Sequence, residues 1–375
     1  MPVSATTTAD ATLPDAAISQ LWTSLGGNAS VLGAPSGGLG TCPDGVGHYQ
    51  HYAGGSIYYT PATGAHEVHG AIHGLWSSLG WERSVLGYPL TNESGTPDKV
   101  GRYNHFQNGS IYWTPATGAH EVHGAIRGLW SSLGWERSFL GYPITNESGT
   151  PDTVGRYNHF QGGSIYWTPA TGAHEVHGVI RDLWSSIGWE KSFLGYPLSN
   201  ETSSSDHGGT GRFNTFQGGT IIWTPVGGAH AINGAVPTVL EYDAGSITFP
   251  SGTAAGGGAH LTLAKDGTCH FTGHMHDSGA AAYNYSVAGV VKDVANQAYT
   301  FGHTGNIAGT FESGSRDDNW DQNAANPTVA QNWLVLAAAG QHSSWRSSVS
   351  IDLSGVINQI ISAVGTVAGV VALFV

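Results

Sequence analysis

A seven-residue string, Gly-Ser-Ile-Tyr-Tyr/Trp-Thr-Pro, begins at Gly55, Gly109 and Gly163, and a variant, Gly-Thr-Ile-Ile-Trp-Thr-Pro, begins at Gly219. The steps between them are 54, 54 and 56 residues. Aligning residues 71–124 with 125–178 leaves five differences in 54 positions, so this part of the chain is a set of tandem copies. A fixed period of this length restricts the fold more than composition does, because each copy must bury its apolar surface against the next. Four units run from about Ala17 to Asn233; the last carries a two-residue insertion around Ser203 to Gly209, and Val239-Leu240 stands where the next Leu-Trp pair would fall.

Within a unit, the run from Gly101 to Gln107 and the run from Ser110 to Thr114 predict two strands joined by a two-residue turn at Asn108-Gly109. Asn and Gly tolerate the positive φ angles of a tight hairpin. Pro115 and Gly118 break the second strand, after which Ile126, Leu129, Trp130 and Leu133 have the i, i+3, i+4, i+7 spacing of one helix face, ended by Gly134. The fold expected is thus an α+β tandem repeat, a β-hairpin plus a short helix per unit, stacked as a ring or an arc. In the loop from helix to hairpin, Leu86-Gly87-Tyr88-Pro89 recurs at 140–143 and 194–197, with Leu32-Gly33-Ala34-Pro35 in the first unit. Its aromatic residue is the expected glue between units.

The Leu-Gly-X-Pro turn, the Gly-Ser-Ile-Tyr-Trp strand and the Gly-Ala-His-X-Val-X-Gly-X-Ile segment, at this spacing, resemble the LGFP repeat family. The resemblance implies modules of exported actinobacterial cell-wall proteins, mycoloyltransferases among them, that hold a protein on cell-wall polysaccharide and pack with pseudo-rotational symmetry. This chain has Tyr or Ala where the family typically has Phe. It has neither a hydrolase domain nor a Gly-X-Ser-X-Gly elbow, so mycoloyl transfer does not carry over.

From about Val236 the period ends and short β-prone runs follow, such as 246–249, 260–263, 268–271, 283–291 and 332–336, with Asp266-Gly267 as a hairpin turn. They predict an antiparallel, sandwich-like β-rich domain over 237–352. The last 23 residues, 353–375, carry no charge. Such a tail is long enough to meet a membrane, yet its Ser, Asn, Gln and Gly content favours docking on the chain's own core. Residues 1–16 form a separate N-terminal segment, without the basic and apolar regions of a secretory signal.

Charge excludes one class of partner. Lys and Arg number 13 against 26 Asp and Glu, a net charge of −13, so nucleic acid is not expected. Two cysteines, Cys42 and Cys269, exclude a disulfide framework. With the repeats and six Asn-X-Ser/Thr sequons, an extracellular or cell-surface location is expected.

A carbohydrate site needs an aromatic face for the C–H side of a sugar and polar groups for its hydroxyls. Trp81, Trp135 and Trp189, each beside charged residues, and the row Tyr103, His105 and Gln107 with its copy Tyr157, His159 and Gln161 are the candidates. Trp76, Trp130 and Trp184 sit on the apolar helix face and are expected in the core. The Gly-Ala-His-Glu-Val-His string, His66 to His69 and its copies, is one residue short of a zinc motif; a turn role, with His bonding a backbone carbonyl, is expected. In the C-terminal region His270, His274 and His276 share a strand face and could take a transition metal. Asp317, Asn319, Asp321 and Asn323 alternate as Ca²⁺ ligands could, without the Gly and Glu of an EF-hand loop.

The function expected is a non-catalytic, lectin-like protein that recognises cell-wall or surface polysaccharide, or another glycoconjugate, multivalently. Two alternatives stand beside it: a glycan-targeted, pore-forming protein using the tail, and a metal-dependent enzyme using the C-terminal histidines.

Overall fold

The computed structural model describes residues 9–250 and 252–374, and the chain divides into two compact units at Gly178/Val179. The first holds three repeats; the second holds the fourth repeat and the C-terminal domain.

Each repeat is a four-stranded antiparallel sheet in sequence order, and a short helix follows each of the first three sheets. In the second repeat the strands are Ser94–Gly95, Arg102–His105, Gly109–Thr114 and Gly118–His123, and the helix is Gly124–Leu133. The expected hairpin is therefore the middle of a meander. Its fourth strand is the Gly-Ala-His-Glu-Val-His string, expected as a turn, which pairs with Gly109–Thr114 along its whole length.

The hairpin turn also differs from expectation. Phe106 N–H donates to Gly109 O at 2.9 Å, so Gln107 and Asn108 are the turn residues. Neither Asn108 nor Gly109 has a positive φ. Glycine at 109 answers a different need, since a Cβ there would run into Leu86 Cδ2. The Leu-Gly-Tyr-Pro turn does require the left-handed region: Gly87 has φ 73°, and a Cβ on it would lie 2.5 Å from Gln107 Oε1.

The core of a repeat is aromatic. Trp130, fully buried, meets Tyr112 and Trp135 edge-on at 4.7 and 5.2 Å, and touches Phe160 of the following repeat at 5.3 Å. Its Nε1–H donates to Gly141 O at 3.2 Å. The Leu-Gly-Tyr-Pro tyrosine reaches the other way: Tyr142 hydroxyl donates to Asp98 of the preceding repeat at 2.7 Å, and Tyr88 to Asp44 at 2.6 Å. The first unit carries Ala34 at this place. Its own helix, Ala9–Ser24, takes in part of the N-terminal segment, and Trp22 bonds Gly33 O at 3.0 Å as Trp130 bonds Gly141.

The C-terminal domain is a two-sheet sandwich. One sheet pairs Val239–Asp243 and Ile247–Thr248 with Ala255–Ala264, then Thr268–Asp277 and Asp317–Ala325. The other runs Ser343–Ser348, Tyr283–Lys292, Gln297–Ile307 and Gly369–Phe374, the last pair parallel. Leu261, Leu263 and Phe271 from the first sheet and Tyr285, Tyr299 and Phe301 from the second fill one core. The apolar tail splits into two pieces. Helix Leu353–Val364 packs Val356, Ile357 and Ile360 on Ala288, Val290 and Ala298, and Gly369–Phe374 is an edge strand. Among the described residues no helix is long and apolar enough to cross a membrane.

The insertion of the fourth repeat joins it to this sandwich. Asp206, buried, accepts from Val335 N–H at 3.2 Å and from Ser204 hydroxyl at 2.7 Å. Beside it His207 N–H donates to Asn332 Oδ1 at 2.9 Å, and Asn332 Nδ2 donates to Tyr299 hydroxyl at 3.0 Å.

Candidate functional site

Two polar arrangements recur in the repeats. The first gathers most of the residues expected from the sequence. Tyr103 stacks on Tyr112 at 5.2 Å, His105 lies 4.8 Å from Tyr103 and 5.5 Å from Trp135, and Arg127 sits over the Trp135 ring at 5.2 Å. Tyr49, His51, Tyr58 and Trp81 repeat the arrangement in the first unit, with His73 edge-on to Trp81 at 4.9 Å where the second has Arg127. Tyr157 likewise stacks on Tyr166 at 5.1 Å with His159 at 4.8 Å. Trp189 carries Arg181 over its ring at 5.2 Å.

These tryptophans are half-buried and hold φ angles of 57 to 60°, a conformation that bulky residues rarely adopt. Gly27, at the same place in the first unit, has φ 60° without that strain. Gln107 and Gln161 do not join the cluster. Their Oε1 atoms accept from Tyr88 and Tyr142 N–H, both at 3.0 Å, and so hold the Leu-Gly-Tyr-Pro turn.

Burial, with the charge of Arg127 added, pushes His105 from 6.5 to about 4; burial does the same to His73. A folded value below the unfolded one keeps the ring neutral, so this stability is complete above about pH 6.5 and is lost as pH falls toward 4. The unfolding midpoint is therefore expected to drop between pH 6.5 and 4, and His105→Gln to flatten part of that fall in thermal melts across the range. An unchanged slope in the variant would contradict it.

The second arrangement lies at the repeat junctions and was not expected. His123 Nδ1 is 2.8 Å from Glu121 Oε2, and its Nε2 is 3.1 Å from Glu147 Oε1 of the next repeat. Arg156 Nε pairs with the same Glu147 oxygen, and Glu147 N–H donates to Glu121 Oε1 at 2.9 Å. Glu67, His69, Glu93 and Arg102 repeat these contacts one junction earlier. Burial alone would lower His123, but the hydrogen bond to Glu121 and the charge of Glu147 outweigh it and raise the imidazole. Burial raises Glu147 against the pull of His123 and Arg156.

Beside this group opens a cavity of about 220 Å³, lined by His123, Ile126, Glu147, Arg156 and Trp167 among others. The Glu147 side chain is 5% exposed, yet its Oε2 has no hydrogen-bond partner; Glu93 Oε2 is in the same state. Arg156 is 43% exposed. The arrangement offers a buried acceptor, a half-exposed planar donor and an indole side by side. Its signal in the sequence was the exact recurrence of Glu93, Arg102, Glu147 and Arg156 in a chain with 10% charged residues.

The conspicuous histidines of the repeats hold turns. His66, His120 and His174 Nε2 lie 2.9 Å from the backbone oxygens of Thr63, Thr117 and Thr171, and His230 Nε2 lies 2.8 Å from that of Gly227.

In the sandwich, His270, His274 and His276 and the series Asp317, Asn319, Asp321, Asn323 lie on neighbouring strands, on one outward face. They pair across it: His276 Nδ1 with Asp317 at 2.7 Å and His270 Nε2 with Asp321 at 2.8 Å. A strand sets alternate side chains about 6.6 Å apart, which spreads the four Asp and Asn residues along a line instead of wrapping them around an ion. Among the described residues no three His, Cys, Asp or Glu converge as metal ligands. Cys42 and Cys269 are buried free thiols, each raised to about 11 by burial first.

No curated protein matches the chain. Among solved structures, the WD40 domain of SCAP from fission yeast aligns at 8% identity over 77% of this chain and 76% of that one, with a TM-score of 0.12, which carries no argument about the fold. The LGFP repeat model matches residues 32–84, 86–138, 140–192 and 194–244. These four matches span more than half of the chain and coincide with the recurring sheets, turns and junctions described above: the chain belongs to the LGFP repeat family of non-catalytic, cell-wall-associated repeat modules.

Proposed function

We propose that this is a non-catalytic, lectin-like protein of the cell surface or extracellular space, whose repeats bind a wall or surface polysaccharide at their junctions. The observation that carries it is the buried, unpartnered Glu147 oxygen in a cavity shared with Arg156 and Trp167. A polysaccharide brings hydroxyl donors for the carboxylate, hydroxyl acceptors for the guanidinium and a C–H face for the indole. Small sites repeated along one chain gain about 10² to 10⁴ in avidity on a polymer, so each junction need bind only weakly. The strained Trp81, Trp135 and Trp189, with Tyr103, His105, Tyr157 and His159, supply further aromatic surface on the same repeats.

Depletion of the intact chain by insoluble cell-wall polysaccharides, with a glycan array alongside, tests this. Glu147→Gln keeps the shape and removes the charge, and is expected to weaken binding about tenfold. Combining it with Glu93→Gln is expected to abolish retention on the polymer, because avidity is lost as well. Trp135→Ala and His159→Ala report whether the aromatic row takes part. Undiminished binding by a folded double variant, or no binding by the folded wild type, would sink the proposal.

A further inference from the structure

One end of the sandwich interior is polar. There His303, on strand Gln297–Ile307, stacks on Trp320 of strand Asp317–Ala325, with centroids 4.3 Å apart and 13° between the ring planes. Its Nε2 lies 3.1 Å from Asp318 Oδ2, and the same oxygen accepts the Tyr285 hydroxyl at 2.7 Å. Tyr285 is fully buried; burial first, then Asp318, raises its phenol, which stays a donor. The carboxylate has room because residue 305 is glycine, since a Cβ there would run into Asp318 Oδ2.

This geometry fixes the imidazole. A carboxylate accepting from Nε2–H leaves Nδ1 of the neutral ring as an acceptor. Next to the ring opens a cavity of about 640 Å³, lined by His303, Thr304, Gln322, Asn323, Leu373 and Phe374 among others. Gln322 Oε1 is buried without a hydrogen-bond partner. A buried acceptor is costly to leave unpaired, so Gln322 Oε1 calls for a ligand with a donor, and His303 Nδ1 offers a second acceptor beside the same cavity.

We propose that this end of the sandwich is a second binding site, for a neutral polyhydroxylated ligand of sugar size. Hydroxyls of the ligand donate to His303 Nδ1 and Gln322 Oε1, while its C–H face lies on Phe374 and Leu373. No Lys or Arg is among the residues lining the cavity, so an anion finds no counter-charge there. Asp318 already accepts two hydrogen bonds on one oxygen and serves to orient His303. The site draws on none of the repeat-junction residues and stands whether or not the repeats bind glycan.

Saturation-transfer NMR on the intact chain, with glucose, galactose, mannose, arabinose and sucrose as probes, tests it. At least one sugar is expected to give transfer, and the His303 ring resonances are expected to shift as it is added. Gln322→Leu, close in volume, is expected to weaken that binding roughly tenfold. His303→Phe is expected to do the same, while Glu93→Gln with Glu147→Gln leaves it unchanged. The proposal is overturned if none of the five sugars gives transfer, or if transfer survives both Gln322→Leu and His303→Phe in chains that keep the wild-type melting temperature. It is overturned equally if only the junction double variant abolishes transfer.

Discussion

Trp130→Ala is expected to lower the stability of the compact unit that ends at Gly178 by about 3–5 kcal/mol, the usual cost of deleting a fully buried indole. The side chain is in contact with Tyr112 and Trp135 in its own repeat and Phe160 in the next, and its Nε1–H pairs with Gly141 O. Its loss opens a cavity on both sides of a junction and removes the donor to a turn carbonyl. For a unit of this size the midpoint of thermal unfolding should fall by roughly 10 °C. Trp130→Phe should recover part of the loss, because an aromatic ring still fills much of the site while the N–H and the rest of the indole are missing. Calorimetry of the intact chain checks both; a shift within a degree or two for Trp130→Ala would mean that the junction collapses onto the gap.

The second large effect is expected at Asp206. Its carboxylate accepts from the backbone N–H of Val335, in the first turn of helix Trp333–Ala339, whose N-cap residue Asn332 makes no side-chain cap bond of its own. A negative charge at a helix N-terminus is favourable, and a buried charged acceptor leaves its donors stranded when removed. Asp206→Ala should therefore cost about 2–4 kcal/mol, summed over the lost bonds to Val335 and Ser204. Hydrogen exchange followed by mass spectrometry should show faster exchange over residues 333–339 and little change in the repeats 32–178. Unchanged protection of that helix in Asp206→Ala would show that packing alone holds it.

The parts legible in the sequence were those built from local repetition. The helix stripe put Trp130 in the core and the Leu-Gly-Tyr-Pro recurrence marked the contact between units, as the Tyr142 to Asp98 bond shows. The role of His120 as a partner of a turn carbonyl was also readable. The strand Gly118–His123 was not. Its Glu121 and Val122 are consecutive and both buried, so the alternation that marks a strand is missing; the carboxylate is buried because it belongs to the junction.

The junction cluster escaped for a related reason. Glu121, His123, Glu147 and Arg156 come from two copies, and each alone looks like a solvated charge. Only the antiparallel pairing and the stacking of copies bring them together. The His303 and Asp318 pair is a plainer case, two residues on strands of different sheets with no local pattern to join them. The insertion at Ser203 to Gly209 was visible as a break in the period, but its partners lie about 125 residues away.

The reach of Tyr142 back to Asp98, and of Tyr88 back to Asp44, has a consequence for how such a chain can change over time. The first three copies carry the same carboxylate, as Asp44, Asp98 and Asp152, and the last three the same phenol, as Tyr88, Tyr142 and Tyr196. Loss of residues 71–124 would bring Tyr142 opposite Asp44, a meeting chemically equivalent to the one it replaces. Gain or loss of whole copies thus creates no unfamiliar surface, whereas a deletion out of phase would leave both partners stranded. The number of copies in such an array can be raised or lowered in whole steps, with neither end needing to adapt.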